Sequence, residues 1–144
     1  MQAIRSFLIV LFMAVASTAV AQQTISISEL VNTKWRVENN WISDYKEYTL
    51  TEIIWKRKDG SFFKYPYYLT DTPVTSYDKS AFDYSKVGKT KKGSYMVSIN
   101  EKMGIVYCAS IESFDKKKGV LVIKVVTQGL IGASGAIERY KLVK

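Results

Sequence analysis

The chemistry open to this chain is bounded first by what it lacks. Its 144 residues include no histidine and a single cysteine, Cys108. Without histidine there is no ordinary general base at neutral pH, no imidazole metal ligand and no His-dependent triad. One thiol forms no intramolecular disulfide, and carboxylates with one cysteine make a poor zinc site. Cys108 lies within Ile105-Val106-Tyr107-Cys108-Ala109, an apolar run that predicts a buried, inert thiol. Asp44, Glu47, Glu52 and Asp71 are the carboxylates that could do acid–base chemistry, as paired carboxylates do on glycosides. No spacing brings two of them together. Glu52, between Thr51 and Ile53, would have a raised pKa if it faced an apolar interior; an outward position opposite a cross-strand lysine is expected instead. Phosphate-cradling glycine loops, nucleophile elbows and metal-ligand spacings are absent from the sequence. The expectation is a protein without catalysis, metal or cofactor.

What remains for building a site is aromatic and aliphatic, and strands must position it. Tyr, Val, Ile, Thr and Trp recur in short runs between turn residues, which suits a pleated, half-buried surface. Ile27 to Val31 forms one helical turn at most. Strands are expected at Lys34–Trp41, Tyr45–Lys56, Ser61–Leu69, Ser94–Ile99, Ile105–Ser113, Val120–Thr127 and Ala136–Val143. Within the second, Tyr48, Leu50 and Ile54 are expected to share one face against Ile53 and Trp55. Asp59-Gly60 marks the clearest hairpin, since glycine accepts positive φ. Residues 74–87, with Tyr77, Phe82 and Tyr84, form one more short strand or a covering loop. Gln128 to Gly135, with three glycines, reads as a flexible connection. About eight short strands with hairpin-length links predict an all-β, antiparallel up-and-down barrel or a sandwich. Closure into a barrel is favoured because it removes sheet edges.

The first residues carry an address. Arg5 precedes an apolar run from Phe7 to Val15, and Ala19-Val20-Ala21 follows. That order predicts a secretory signal peptide over residues 1–21, cut between Ala21 and Gln22. The run is shorter than the roughly 20 residues that span a bilayer. A secreted or periplasmic protein with one domain over residues 22–144 is expected.

Three stretches resemble the small secreted lipocalin-like domains of bacteria, within the lipocalin superfamily. Trp35 follows a short helical turn at the start of the first strand. Trp55-Lys56-Arg57-Lys58-Asp59-Gly60-Ser61-Phe62 is similar to the family's strand, Asp-Gly turn and strand. Tyr107 to Lys124, with Ile137-Glu138-Arg139-Tyr140-Lys141-Leu142, resembles its last three strands. Thr33-Lys34-Trp35 stands where the family carries Gly-x-Trp. The resemblance implies an eight-stranded lipocalin-like barrel, and that Trp35 packs at its closed end against Arg139.

Two functions fit this reading. A non-enzymatic binding protein would hold a small apolar or amphipathic ligand inside the barrel. The candidate lining is Tyr48, Leu50, Phe63, Tyr65, Tyr67, Tyr95 and Tyr107, with Val97 and Ile111. Tyrosine suits the role because its ring packs while its hydroxyl orients a polar end. A barrel filled by its own side chains shows the same alternation, and would instead be a surface- or protein-interaction module. Its contacts would be Lys86, Lys89, Lys91 and Lys92, and the hairpin tip Lys116-Lys117-Lys118, weakly attracted to anionic surfaces. The formal net charge of +8 is spread along the chain, so solubility explains most of it and nucleic acid is not an expected partner. Lys64, Lys124, Arg139 and Lys141 interrupt the strands, which excludes the continuous apolar band of an outer-membrane barrel.

Overall fold

The computed structural model describes residues 22–38 and 44–144. The signal peptide expected over residues 1–21 lies outside the described residues, as does the end of the first expected strand.

Eight strands close into an antiparallel barrel. They are β2 (Thr33–Val37), β3 (Tyr45–Tyr48), β4 (Glu52–Lys56), β5 (Phe62–Thr70), β7 (Tyr95–Asn100), β8 (Ile105–Asp115), β9 (Val120–Val125) and β10 (Ile137–Leu142). Each pairs with the next in this order, and β10 returns to β2. Two further short strands, β1 (Ile25–Ser26) and β6 (Lys92–Gly93), pair with each other outside the barrel. Alternation sets the two faces. Trp35 on β2 lies opposite Lys46 on β3, Lys46 opposite Trp55 on β4, and Trp55 opposite Phe63 on β5. This ladder is the interior face, and the intervening Lys34, Glu47 and Ile54 point outward.

The N-terminal residues stopper one end. α1 (Ile27–Leu30) is a single turn, started where the Glu29 carboxylate accepts the Ser26 backbone N–H at 2.9 Å. Beyond its C-cap, Val31, the chain turns into β2 through Asn32, whose φ of 63° asparagine tolerates better than most residues. Ile25, Ile27 and Leu30 are buried in the barrel core. Gln23 binds Phe114 twice: its amide donates to the Phe114 carbonyl and accepts from the Phe114 N–H, both at 2.8 Å. Gly93 crosses β5 so closely that a Cβ there would lie 2.4 Å from the Thr70 backbone nitrogen.

A second apolar cluster lies outside the barrel. Residues 71–91 run across β5, β7 and β8, and Phe82 packs with Tyr68, Val97, Ile99, Val106 and Cys108. The Tyr68 and Phe82 rings are 5.1 Å apart. This segment is a covering loop with two 3-10 turns, Lys79–Ala81 and Tyr84–Lys86, capped by the Asp78 and Asp83 carboxylates. Cys108 is fully buried there, and burial pushes its thiol pKa up.

Two features of the chain shift the alternation. The expected single strand over Tyr45–Lys56 is two strands. The Thr49 hydroxyl donates to the Glu52 carbonyl at 3.1 Å and accepts the Glu52 N–H at 2.9 Å, tying a tight turn without glycine or proline. Tyr48 and Ile53 therefore become cross-strand neighbours on the interior face, and the expected grouping of Tyr48 with Leu50 and Ile54 is corrected. On β8 the register shifts between Ile111 and Ser113. The extra residue, Glu112, lets both Ile111 and Phe114 face inward.

The expected Trp35–Arg139 pair is also corrected. Trp35 is fully buried inside, whereas Arg139 is exposed, opposite Val122 on the outer face. Trp35 instead packs on Phe114, with ring centroids 5.8 Å apart. Its indole N–H donates to the Thr33 hydroxyl at 2.8 Å, which donates in turn to the Leu30 carbonyl at 2.5 Å. The relay satisfies the one polar atom of the largest core side chain.

Candidate functional site: a half-filled barrel

The barrel is filled at one end and hollow at the other. Near α1 the interior is packed with Trp35, Tyr48, Tyr67, Leu69, Ile111 and Phe114. Above this layer lies a cavity of about 290 Å³. Its floor is Ile53, Met96, Ala109 and Ile123, which are also the top of the packed core. Its walls are Trp55, Tyr65, Tyr107 and Val125, with Ser98 and Asn100 on β7.

One charged cluster sits in this wall. Lys46 on β3 and Glu138 on β10 both line the cavity, and the Lys46 Nζ lies 3.5 Å from Glu138 Oε2. The ammonium donates to the Tyr140 hydroxyl at 2.7 Å, and that hydroxyl donates to Glu138 Oε2 in a short hydrogen bond. The ammonium also stands 4.9 Å from the Trp55 ring centroid and 4.8 Å from that of Tyr140, within cation–π range. Trp55 is held in place by its indole N–H, which donates to Asp44 Oδ2 at 2.7 Å. Burial lowers the Lys46 pKa, and the neighbouring Glu138 carboxylate opposes the shift. The two side chains differ in exposure, 13% for Lys46 and 40% for Glu138, so Glu138 is the member nearer solvent.

Tyrosine hydroxyls complete the polar inventory. Burial raises the pKa of Tyr48, Tyr67 and Tyr140. The Tyr67 hydroxyl donates to the Thr49 carbonyl at 2.7 Å. The Tyr48 hydroxyl is buried and has no hydrogen-bond partner among the described residues.

The residues named from the sequence fall into four places. Tyr65 and Tyr107 line the cavity. Tyr48, Tyr67 and Ile111 lie in the packed layer beneath it. Phe63 stands at the rim, stacked on Tyr65 with ring centroids 6.4 Å apart. Leu50 and Tyr95 are outside the barrel: Leu50 is 48% exposed at the β3–β4 turn, and Tyr95 packs with Val97 in the outer cluster. β7 buries both of its faces, Met96 in the barrel core and Val97 and Ile99 in the outer cluster, so hydrophobicity alone does not say which face is inside. Glu52 faces outward opposite Pro66.

Lys46 and Glu138 were not among the sequence candidates. Their signal was parity: each lies two residues from an inward tyrosine, in Lys46-Glu47-Tyr48 and Glu138-Arg139-Tyr140. The lysine-rich segments lie elsewhere. Residues 86–92 lead into β6 beside the N-terminal stopper, and Lys116 to Lys118 form the β8–β9 turn. Both are at the filled end. Around the hollow end, Phe62, Met103, Ile131 and Ile137 are exposed.

Among the described residues no group of histidine, cysteine and carboxylates could hold a metal ion, and no helix is long and apolar enough to cross a membrane. In comparisons with protein-family models, curated proteins and solved structures, nothing matches the chain.

Proposed function

We propose that this chain is a secreted or periplasmic, non-enzymatic binding protein of lipocalin-like type, holding one small amphipathic molecule in its barrel. The observation that carries the reading is the 290 Å³ cavity with an apolar floor and the Lys46–Glu138 ion pair in its wall. An amphiphile suits such a site: its apolar end displaces water from Ile53, Met96, Ala109 and Ile123, and its polar end stays beside Lys46 and Glu138. A cavity near 150 Å³ holds benzene, so this one suits a ligand of about a dozen non-hydrogen atoms. The export signal read from residues 1–21 and the closed eight-stranded barrel support the address and the family type.

Trp55 in the cavity wall supplies the reporter. Titration with 1-decanol should give a saturable change in tryptophan emission at micromolar ligand. A linear, unsaturable response would overturn the proposal.

A second reading has its own observation. Phe62, Met103, Ile131 and Ile137 expose apolar surface around the hollow end, and such surface marks contact sites. In that reading the same end rests on an apolar surface or partner. Replacing Phe62 and Ile131 by serine would then abolish the contact while leaving decanol binding intact.

A further inference from the structure

The head group that the cavity selects can be read from how the charges in its wall are already matched. Among the described residues, Lys46 is the only cationic side chain lining the cavity and Glu138 the only anionic one. They neutralise each other at 3.5 Å. A ligand carboxylate entering beside them would meet an ammonium already engaged and a carboxylate that repels it. A ligand ammonium would meet the reverse. Either would lose its hydration without gaining an unmatched partner, the costly case for a buried charge.

Hydrogen-bonding capacity is nonetheless left over on both members. The ion pair and the Tyr140 hydrogen bond both fall on Glu138 Oε2, so Oε1 can accept from a ligand. The Lys46 ammonium has three N–H donors, of which one goes to Tyr140 and one faces Glu138. The third can donate to a ligand oxygen. A hydroxyl or a primary amide uses both at once, donating to Oε1 and accepting from Nζ.

We infer that the cavity selects ligands with an uncharged head that is both donor and acceptor, an alcohol or primary amide, over carboxylates and amines of the same skeleton. The inference rests on the binding function proposed above and names the ligand class of that site. Selectivity comes from the charge excluded as much as from the contacts made. Displacing the carboxylate charge should reverse the preference. In Glu138→Gln the Lys46 ammonium keeps its place among Trp55 and Tyr140 but loses its counter-charge, and an anionic head becomes the better partner.

A matched series tests this: 2-naphthalenemethanol, 2-naphthamide, 2-naphthoate, 2-naphthylmethylammonium and 2-methylnaphthalene. Each is dialysed to equilibrium against the wild-type protein at pH 7 and read by naphthalene emission. The alcohol and the amide should bind at least about tenfold more tightly than the carboxylate and the ammonium, with the hydrocarbon between. In Glu138→Gln the carboxylate should overtake the alcohol. Wild-type preference for the carboxylate or the ammonium overturns the inference. So does an unchanged ranking in a Glu138→Gln protein whose circular dichroism matches wild type. If the hydrocarbon binds but the four heads do not differ, head selection fails and the binding function stands. If none of the five binds, the binding function fails with it.

Discussion

Lys46 and Glu138 meet across an intervening strand. One projects from β3 and the other from β10, β2 runs between them, and Nζ approaches the carboxylate to 3.5 Å inside the barrel. The pair is asymmetric in exposure, and this asymmetry has a consequence for stability.

Removing the solvent-facing member strands the buried one. Glu138→Ala leaves the Lys46 ammonium with Tyr140 and two aromatic faces but no counter-charge. The loss should be about 1–3 kcal/mol, below the cost for a fully buried pair because Glu138 is partly solvated. Lys46→Met fills the same wall with an apolar chain and leaves a carboxylate that water can reach, so its cost should be under about 1 kcal/mol. Urea unfolding of the two variants measures the difference. Equal losses would place the pair in solvent.

The buried tyrosines set an alkaline limit. Burial raises the pKa of Tyr48, Tyr67 and Tyr140 above the ordinary value of 10. The folded state therefore keeps protons that the unfolded chain releases above pH 10. Their stabilising contribution is complete below pH 10 and is lost progressively above it. Lys46 works with the opposite sign: its folded pKa is lowered from 10.5, so between the two values the unfolded chain holds more protons and stability rises with pH. Stability should thus climb toward about pH 10 and fall beyond it. In a spectrophotometric titration, at least these three of the ten tyrosines should stay protonated until the barrel unfolds. Full ionisation in a still-folded protein would contradict the burial.

Trp35 anchors the filled end. It is fully buried against Phe114 and hydrogen-bonded to Thr33. Trp35→Ala should destabilise by about 3–5 kcal/mol, measured by thermal or urea unfolding. A cost below about 1 kcal/mol would remove Trp35 from the core.

Gly93 is required for a steric reason. Its Cβ would sit 2.4 Å from a Thr70 backbone atom, and backbone cannot move aside as a side-chain tip can. Gly93→Ala should cost about 3 kcal/mol and loosen the N-terminal stopper, since β6 pairs with β1. Hydrogen exchange at the Ile25 and Ile27 amides reads the loosening directly; unchanged protection of both would contradict it.

The barrel was legible in the sequence because its signals are local. Asp59-Gly60 forms the β4–β5 turn, with Gly60 at φ 87°, and the alternation of Phe63, Tyr65, Tyr67 and Leu69 puts all four on the interior face, Phe63 at its rim. Ile27 to Leu30 forms the expected helical turn. The failures are parity failures. Thr49-Leu50-Thr51 turns the chain through a side-chain hydrogen bond that composition does not announce, and Leu50 moved from lining to surface. Tyr95 and Val97 look like core because they are core, of the outer cluster under residues 71–91. The ion pair was missed for a different reason. A lysine in a strand is ordinarily outward, and only the matched parity of Tyr48 and Tyr140 marks Lys46 and Glu138 as inward.

Whether the hollow end of the barrel holds a ligand is tested most directly by calorimetric titration of 2-naphthalenemethanol into the wild-type protein and into Ala109→Phe. Ala109 lies on the cavity floor, so a phenyl ring there occupies the space the ligand would take. The wild type should bind one molecule per chain with heat that saturates, and the folded variant should show none. Equal binding by both proteins, or no saturable heat from the wild type, would contradict a ligand site in the barrel.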